Sequence, residues 1–217
     1  IDKRGVIPLK TRGGVTPHAP FRQRIRIITR EVKRIHAIII ATYINVKDES
    51  ITADIGASTE EAVCSSGSNA GAMVTYTTSF EEFTLPDRLV GKAFDDRIGC
   101  FVMGEVLKEL KKENINCNIH FAATSSEEVG IRGAKTSTQL INPDIVFVID
   151  VACAKNEFVR DYTNQKQIDR GVMLMHRDRT LVPSRKMIDY VMKIADENNI
   201  PLQHDMFESG GTDGGEA

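Results

Sequence analysis

The chain has 217 residues, of which 41% are hydrophobic and 27% are charged, and its formal net charge is -2. This balance is typical of a globular protein that buries a substantial core. A weakly acidic chain offers no broad positive field for a phosphate backbone, and no stretch reaches the roughly 20 apolar residues of a membrane-spanning helix. We therefore expect neither a nucleic-acid nor a membrane partner. The four cysteines lack CxxC or zinc-finger spacing, which favours a reducing cytoplasm.

Residues 1–88 are predicted to form a β-rich domain. Charged and apolar residues alternate over residues 22–29, which places Ile25 and Ile27 on one face of a half-buried strand. A short capped helical turn is predicted at residues 58–62, because Glu61 follows Ser58 at capping-box spacing. Several short strands without helical periodicity predict a small barrel or sandwich. The other candidate strands are residues 36–43, 51–55, 72–77 and 83–90.

From Gly91 onward the pattern changes to alternating helices and strands. Apolar residues at three- and four-residue spacing predict a helix that starts at Asp96. This order predicts an α/β domain over residues 89–217, with a mostly parallel sheet flanked by helices. We place the domain boundary near residues 87–91. Further helices are predicted at residues 131–140 and 184–199, and strands at residues 118–123, 144–150, 171–175 and 201–207.

Acidic residues recur where the predicted elements of the second domain begin or end. Asp95 and Asp96 precede the first helix, Glu127 and Glu128 follow a strand, and Asp150 ends the most apolar strand. In an open α/β sheet, the carboxyl ends of parallel strands share one crevice, so these side chains are expected to converge. Crowded carboxylates repel one another unless a cation neutralises them. A metal site is therefore the first hypothesis.

Each of these features also has a structural explanation. The aspartate pair can simply cap its helix, the glutamate pair can lie on the surface, and the last aspartate can form a hydrogen bond at the sheet edge. The glycine-rich residues 208–215 can bring backbone close to a ligand or form a flexible turn. No histidine shows an HExxH or similar spacing, and we expect surface or structural roles for all of them. These are His18, His36, His120, His176 and His204.

Four stretches together resemble the tetrahedral-type, or glutamyl (deblocking), aminopeptidases, a family of dinuclear metallo-aminopeptidases. They read GKAFDDRIGC at residues 91–100, SSEEVGIRGA at 125–134, VFVIDVA at 146–152 and ESGGTDGG at 208–215. Residues 13–29 and 54–58 are similar to the β-domain inserted in that family. The resemblance implies a catalytic domain like that of zinc aminopeptidases, interrupted by a small β-barrel that supports dimerisation and assembly.

The resemblance also implies a role for each matched residue. Asp95 would bridge two metal ions, and a cis peptide would join it to Asp96. Glu127 would be the general base, while Glu128 and Asp150 would each bind one metal. Near the substrate would lie Gly210, Gly211, Thr212 and Asp213. The family's two remaining ligands are histidines, which we expect on polypeptide that flanks residues 1–217.

The implied function is removal of N-terminal residues from peptides by a water molecule that two divalent ions activate. Zinc is expected, with cobalt as the alternative, because the missing ligands are histidines. The implied assembly is a dimer that associates further into a dodecamer. Two other functions stay open at this point. A glycoside hydrolase would also use paired carboxylates and would need no metal, and a non-catalytic assembly protein would keep only the β-domain's role.

Overall fold

The structure is a computed structural model that describes residues 1–11, 22–44, 49–154, 166–206 and 210–217, without the side chains of residues 41–44 and 49–50. The chain divides into two compact units, Ile1–Lys92 and Ala93–Ala217. The roles predicted for residues 1–88 and 89–217, assembly and catalysis, stay predictions. Within the described ranges, no helix is long and apolar enough to cross a membrane.

The elements of the first unit are β1 (Ile7–Leu9), β2 (Arg24–Ile28), β3 (Arg34–Ile44), β4 (Glu49–Asp54), α1 (Glu60–Ser65) and β5 (Met73–Tyr76). The five strands form an antiparallel sheet whose spatial order is β1-β4-β3-β2-β5. Alternation in β2 puts Ile25 and Ile27 in the core, where each is only 1% exposed. The buried Val63 of helix α1 packs against the same face.

Two predictions for this unit need correction. The small barrel is not confirmed, because β1 and β5 are the outer strands of the sheet and are not paired with each other in the described residues. Residues 83–90 do not form one strand. They contain a turn at Pro86 and Asp87, where proline supplies no N–H and Asp87 has a left-handed φ of 60°. This turn separates the paired short strands β6 (Glu81–Glu82) and β7 (Leu89–Val90).

The helical turn predicted at residues 58–62 is present, but its cap is one residue later. The hydroxyl oxygen of Thr59 accepts a hydrogen bond from the Ala62 amide at 3.2 Å, so Thr59 and not Ser58 is the N-cap of α1.

The second unit is α/β. Strands β8 (Val172–Arg177) and β9 (Leu202–Met206) are parallel neighbours, and helix α4 (Arg185–Glu197) connects them, as a βαβ unit requires. The buried residues of this helix are Ile188 and Ala195, which are 6% and 5% exposed. The other helices are α2 (Phe94–Leu110) and α3 (Arg132–Ile141).

The mostly parallel sheet predicted for this unit is not confirmed beyond β8 and β9. Residues 118–123 and 144–150 are assigned to no strand, and their apolar side chains are exposed, as Phe121 (37%) and Phe147 (67%) show. A strand must pair its backbone N–H and C=O groups with a neighbour, and the described residues form no such ladder with either segment. The apolar pattern of these segments therefore did not identify strands correctly.

Candidate active site

The aspartate pair lies at the start of helix α2, but the two residues are not helical. The backbone angles are φ -81° and ψ 110° at Asp95, and φ -118° and ψ 58° at Asp96, and the peptide bond between them is cis. The cis bond agrees with what the family resemblance implies. Asp96 accepts a hydrogen bond from the Gly99 amide at 2.9 Å, which is N-cap geometry. The capping explanation therefore holds for Asp96, and Asp95 takes no part in this bond.

Glycine at position 99 is what makes room for the Asp96 carboxylate. A Cβ atom at Gly99 would lie 2.2 Å from Asp96 Oδ2, which is closer than two non-bonded atoms can approach. Any side chain at position 99 would thus displace the carboxylate. The D-x-x-G spacing is the part of the sequence that encodes this contact.

The glutamate pair lies in a single 3-10 turn, Glu127–Val129. The turn is closed by the carbonyl oxygen of Glu127, which accepts from the amides of Gly130 and Ile131 at 3.0 and 2.9 Å. On either side, Ser126 and Ile131 have φ angles of 63° and 55°, a left-handed conformation that costs a residue with a side chain about 1–2 kcal/mol. Strained backbone of this kind is often found at functional sites, where the surrounding structure must hold it.

Helix α3 holds the segment that precedes this turn. A Cβ atom at Gly133 would lie 2.4 Å from the carbonyl oxygen of Ser125 and 3.1 Å from Thr124 Cβ. Glycine therefore lets the first turn of the helix pack directly on residues 124–125. The glycine spacing in the SSEEVGIRGA stretch has this packing function.

The charges around Glu127 come from several parts of the second unit. Partial burial raises the pKa of Glu127, and the nearby carboxylates of Asp150, Glu128, Asp213 and Asp95 raise it further. Glu127 is thus close enough to four other acidic side chains to be affected by their charges. The carboxylates that were expected to converge thus interact electrostatically, and their role as one site stays a prediction.

Asp150 and Asp96 belong to the same group of charges. Removal from water raises the pKa of Asp150 to about 6, although the Val151 amide, which donates to its Oδ1 at 2.7 Å, opposes the shift. Repulsion from Asp96, Asp95 and Asp213 adds to the increase. Burial likewise raises the pKa of Asp96 against the effect of its Gly99 hydrogen bond. We call these residues the acidic cluster: Asp95, Asp96, Glu127, Glu128, Asp150 and Asp213.

Asp213 lies in the glycine-rich stretch, of which residues 208–209 are outside the described residues. Its Oδ2 accepts a hydrogen bond from the Thr124 hydroxyl. Its Oδ1 is fully buried and has no hydrogen-bond partner among the described residues. A buried carboxylate oxygen without a donor is unfavourable, so this atom fits a site that gains a cation or a donor.

Asp178 is a residue that the sequence analysis missed. It is 2% exposed, and its Oδ1 accepts hydrogen bonds from the Thr180 amide at 2.6 Å, the Thr180 hydroxyl at 2.9 Å and the Leu181 amide at 2.7 Å. Its Oδ2 accepts from the Thr212 hydroxyl at 3.3 Å. The spacing from aspartate to threonine two residues later is an Asx-turn signal that could have drawn attention to this loop.

No histidine takes part in the hydrogen bonds or charge interactions given above for the acidic cluster. His176 Nε2 and His204 Nδ1 lie 2.8 Å apart on the neighbouring strands β8 and β9. His18 is outside the described residues. The prediction that the histidines have structural or surface roles agrees with the position of this pair.

The acidic cluster suits a divalent cation in its chemistry but does not form a complete ligand set. Within the described ranges, no group of three or more histidine, cysteine, aspartate or glutamate residues is arranged to hold a metal ion. The pKa values of Glu127 and Asp150 are nevertheless raised by burial and by repulsion from neighbouring carboxylates, and a cation would relieve this repulsion. Oxygen ligands of this type are found in zinc, cobalt and magnesium sites.

Comparison with known proteins gives a consistent result. A family model described as M42 glutamyl aminopeptidase matches residues 1–217. The glutamyl aminopeptidase of Lactococcus lactis is 26% identical over 98% of this chain and 61% of its own length. The TET aminopeptidase of the marine sediment archaeon Thaumarchaeota archaeon SCGC AB-539-E09 is 30% identical, with a TM-score of 0.86 over 100% of this chain and 64% of its own.

A more distant structure shows the same fold. The TET1 peptidase of Pyrococcus horikoshii is 23% identical, with a TM-score of 0.78 over 100% of this chain and 66% of that chain. The present chain thus spans about three fifths to two thirds of the length of these relatives.

The interaction between Asp150 and Asp96 can be tested by titration. In metal-free protein, we expect carbon-13 NMR to show that the Asp150 carboxyl has a pKa of about 6. Asp96→Asn should lower this pKa, because it removes one of the charges that oppose ionisation. The matched control is Glu216→Gln, since Glu216 pairs with Lys135 at 3.2 Å and does not act on Asp150. An Asp150 pKa that is the same in wild type and Asp96→Asn would disprove the interaction.

The same titration should appear in the stability of the metal-free protein. A carboxyl group whose pKa is raised on folding binds more protons in the folded chain, so the free energy of unfolding falls as the pH rises between the two pKa values. For Asp150 this window runs from 3.8 to about 6. Chemical denaturation across the window should show this decrease, and Asp96→Asn should make it smaller.

Proposed function

Because the chain belongs to the M42 glutamyl aminopeptidase family, we propose that it is part of a metal-dependent aminopeptidase that removes N-terminal residues from peptides. The observation that carries this proposal is the acidic cluster, in which burial, together with the charges of carboxylates from separate parts of the chain, raises the pKa of Glu127 and Asp150. An ordinary protein surface does not gather like charges in this way, because the repulsion destabilises the fold. A cytoplasmic location stays part of the proposal.

The carboxylates are assigned by the positions that match the family's motifs. Asp95, Glu128 and Asp150 would hold two divalent ions. Zinc is the first choice and cobalt the second. The histidines that complete the ligand set would come from polypeptide outside residues 1–217, which is consistent with relatives that are longer than this chain. The ions would supply Lewis-acid polarisation of the scissile carbonyl and a lowered pKa of the attacking water.

Glu127 is the proposed general base. It is partly buried, and the charges around it raise its pKa above the ordinary 4.5 of glutamate, which moves it toward the working pH of a base. Its carboxylate would accept a proton from the attacking water and pass that proton to the nitrogen of the leaving amine. The 3-10 turn and the flanking left-handed residues fix the backbone that carries Glu127 and Glu128.

The acidic cluster also suits the substrate. The free N-terminus of a peptide carries a positive charge, which a group of carboxylates attracts and helps to orient. A substrate peptide whose N-terminus is blocked lacks that positive charge. This preference for a free amine is the physical basis for exopeptidase rather than endopeptidase action in the proposed enzyme.

No observation favours the two alternative functions. Glycoside hydrolysis would account for paired carboxylates, but the family match and the named relatives are peptidases. A non-catalytic assembly protein would have no reason to retain a costly group of mutually repelling carboxylates.

We propose that the first unit supports assembly of the complete protein into dimers and a dodecamer. In its sheet, the outer strands β1 and β5 each leave one edge without a described neighbour, and such edges are common sites of association. The fold relative from Pyrococcus horikoshii can assemble into a tetrahedron or a large octahedral shell, which supports the proposal at the level of the fold.

The division of roles between the two glutamates is directly testable in the complete polypeptide. Glu127→Gln should reduce hydrolysis of an aminoacyl p-nitroanilide by about 10²–10⁴-fold, because it removes the general base, while the metal content measured by plasma mass spectrometry stays at the wild-type level. Glu128→Ala should instead lower the metal content. Glu113→Gln, at an exposed position after α2, is the control and should change neither. Equal metal loss in the two site variants would refute this assignment.

The assembly proposal can be tested by deletion. Replacing residues 1–92 of the complete polypeptide with a short glycine linker should leave a folded α/β unit, as circular dichroism can check, but with a smaller molecular mass by light scattering. The reason is that the proposed contacts lie in the first unit. An unchanged oligomeric mass would count against the proposal.

A further inference from the structure

The glycine-rich segment, residues 210–217, packs against the loop that Asp178 organises. A Cβ atom at Gly211 or Gly215 would lie 2.6 or 2.4 Å from Thr180 Oγ1, and one at Gly214 would lie 2.6 Å from Leu181 Cδ2. Side chains at these three glycines would therefore separate the segment from the loop. The shape of the loop consequently determines where the segment lies.

Asp178 determines the shape of that loop. One oxygen of its buried carboxylate accepts three hydrogen bonds from Thr180 and Leu181, and such donors are what a buried polar group requires. The other oxygen accepts from the Thr212 hydroxyl at 3.3 Å. A single side chain thus holds the loop and the glycine-rich segment together.

The residue after Thr212 extends this connection to the acidic cluster. Asp213 Oδ2 accepts a hydrogen bond from the Thr124 hydroxyl. Thr124 lies three residues before Glu127, on the segment that α3 packs against. The Asp213 carboxylate is also one of the charges around Glu127. A shift of the glycine-rich segment would therefore move both a charge and a hydrogen-bond acceptor beside the glutamate turn.

We propose that Asp178 is a positioning residue for the reaction, a role that rests on the aminopeptidase function proposed above. Through Thr212 it fixes the glycine-rich segment, and through Asp213 and Thr124 that segment fixes the backbone before Glu127. Asp178 itself lies two hydrogen bonds away from the Glu127 segment and acts through its neighbours. The contribution is to turnover, because the geometry of the reacting groups is what the connection controls.

The test uses the complete polypeptide and changes one donor at a time. Thr212→Val removes the hydroxyl that reaches Asp178 and keeps the side-chain shape. Thr180→Val is the matched control, since it removes another hydroxyl donor of the same carboxylate but leaves the link to the segment intact. Thr212→Ser retains the hydroxyl and serves as the conservative replacement.

Two measurements are made on each variant. One is kcat and KM with an aminoacyl p-nitroanilide, and the other is hydrogen exchange at the amides of Gly215 and Glu216, which donate to the carbonyl oxygens of Thr212 and Asp213. We expect Thr212→Val to lower kcat by roughly ten- to a hundredfold with KM nearly unchanged, and to accelerate exchange at both amides. Thr180→Val should remain close to wild type in both measurements, and Thr212→Ser should recover most of the kcat that Thr212→Val loses.

The outcomes separate this inference from the function on which it rests. An active wild type in which Thr212→Val behaves like Thr180→Val in kcat would overturn the positioning role of Asp178. Faster exchange without loss of kcat would overturn it as well, because the link would then be structural only. An inactive wild-type protein, with its metals bound, would instead overturn the proposed function, and the positioning role would fall with it.

Discussion

The proposed site in the second unit depends on acidic side chains that are partly buried and that repel one another. Burial raises the pKa of Glu127, and the charges of Asp150, Asp213 and Asp95 raise it further. Bringing like charges together out of water is unfavourable, and proteins retain such groups mainly where a cation or a substrate compensates for the repulsion. The raised pKa values are therefore the physical link between the fold of this unit and its proposed metal-dependent chemistry.

Short-range packing holds the carboxylates in this arrangement. Gly99 leaves the space that the Asp96 carboxylate occupies, and Gly133 lets helix α3 approach the segment before Glu127. The buried Asp178 organises a loop against which the glycine-rich segment packs. All of these contacts are made by the chain's own residues, which is how preorganised sites are held in position.

Local patterns in the sequence predicted local structure well, and long-range pairing poorly. Alternation predicted β2, and the capping-box spacing predicted the helical turn of α1 to within one residue. That the acidic residues at element boundaries form one site stays a prediction. The apolar residues 118–123 and 144–150 were wrongly predicted as strands, because hydrophobicity indicates a tendency to be buried but does not specify a backbone partner. The Asx-turn spacing could have drawn attention to the Asp178 loop, but the sequence does not show what Asp178 connects to, for a similar reason. Its connection to Thr212 spans 34 positions, and only the folded chain brings the two together.

The most direct test of the account is to locate the metal ions in the complete protein. Anomalous X-ray scattering at the zinc absorption edge, from crystals of zinc-loaded protein, should show two strong peaks within the acidic cluster. We expect Asp95 to contact both peaks, Glu128 to contact one and Asp150 the other. Peaks elsewhere on the protein, or a cluster that stays empty at saturating zinc, would contradict the claim that these carboxylates form a dinuclear metal centre.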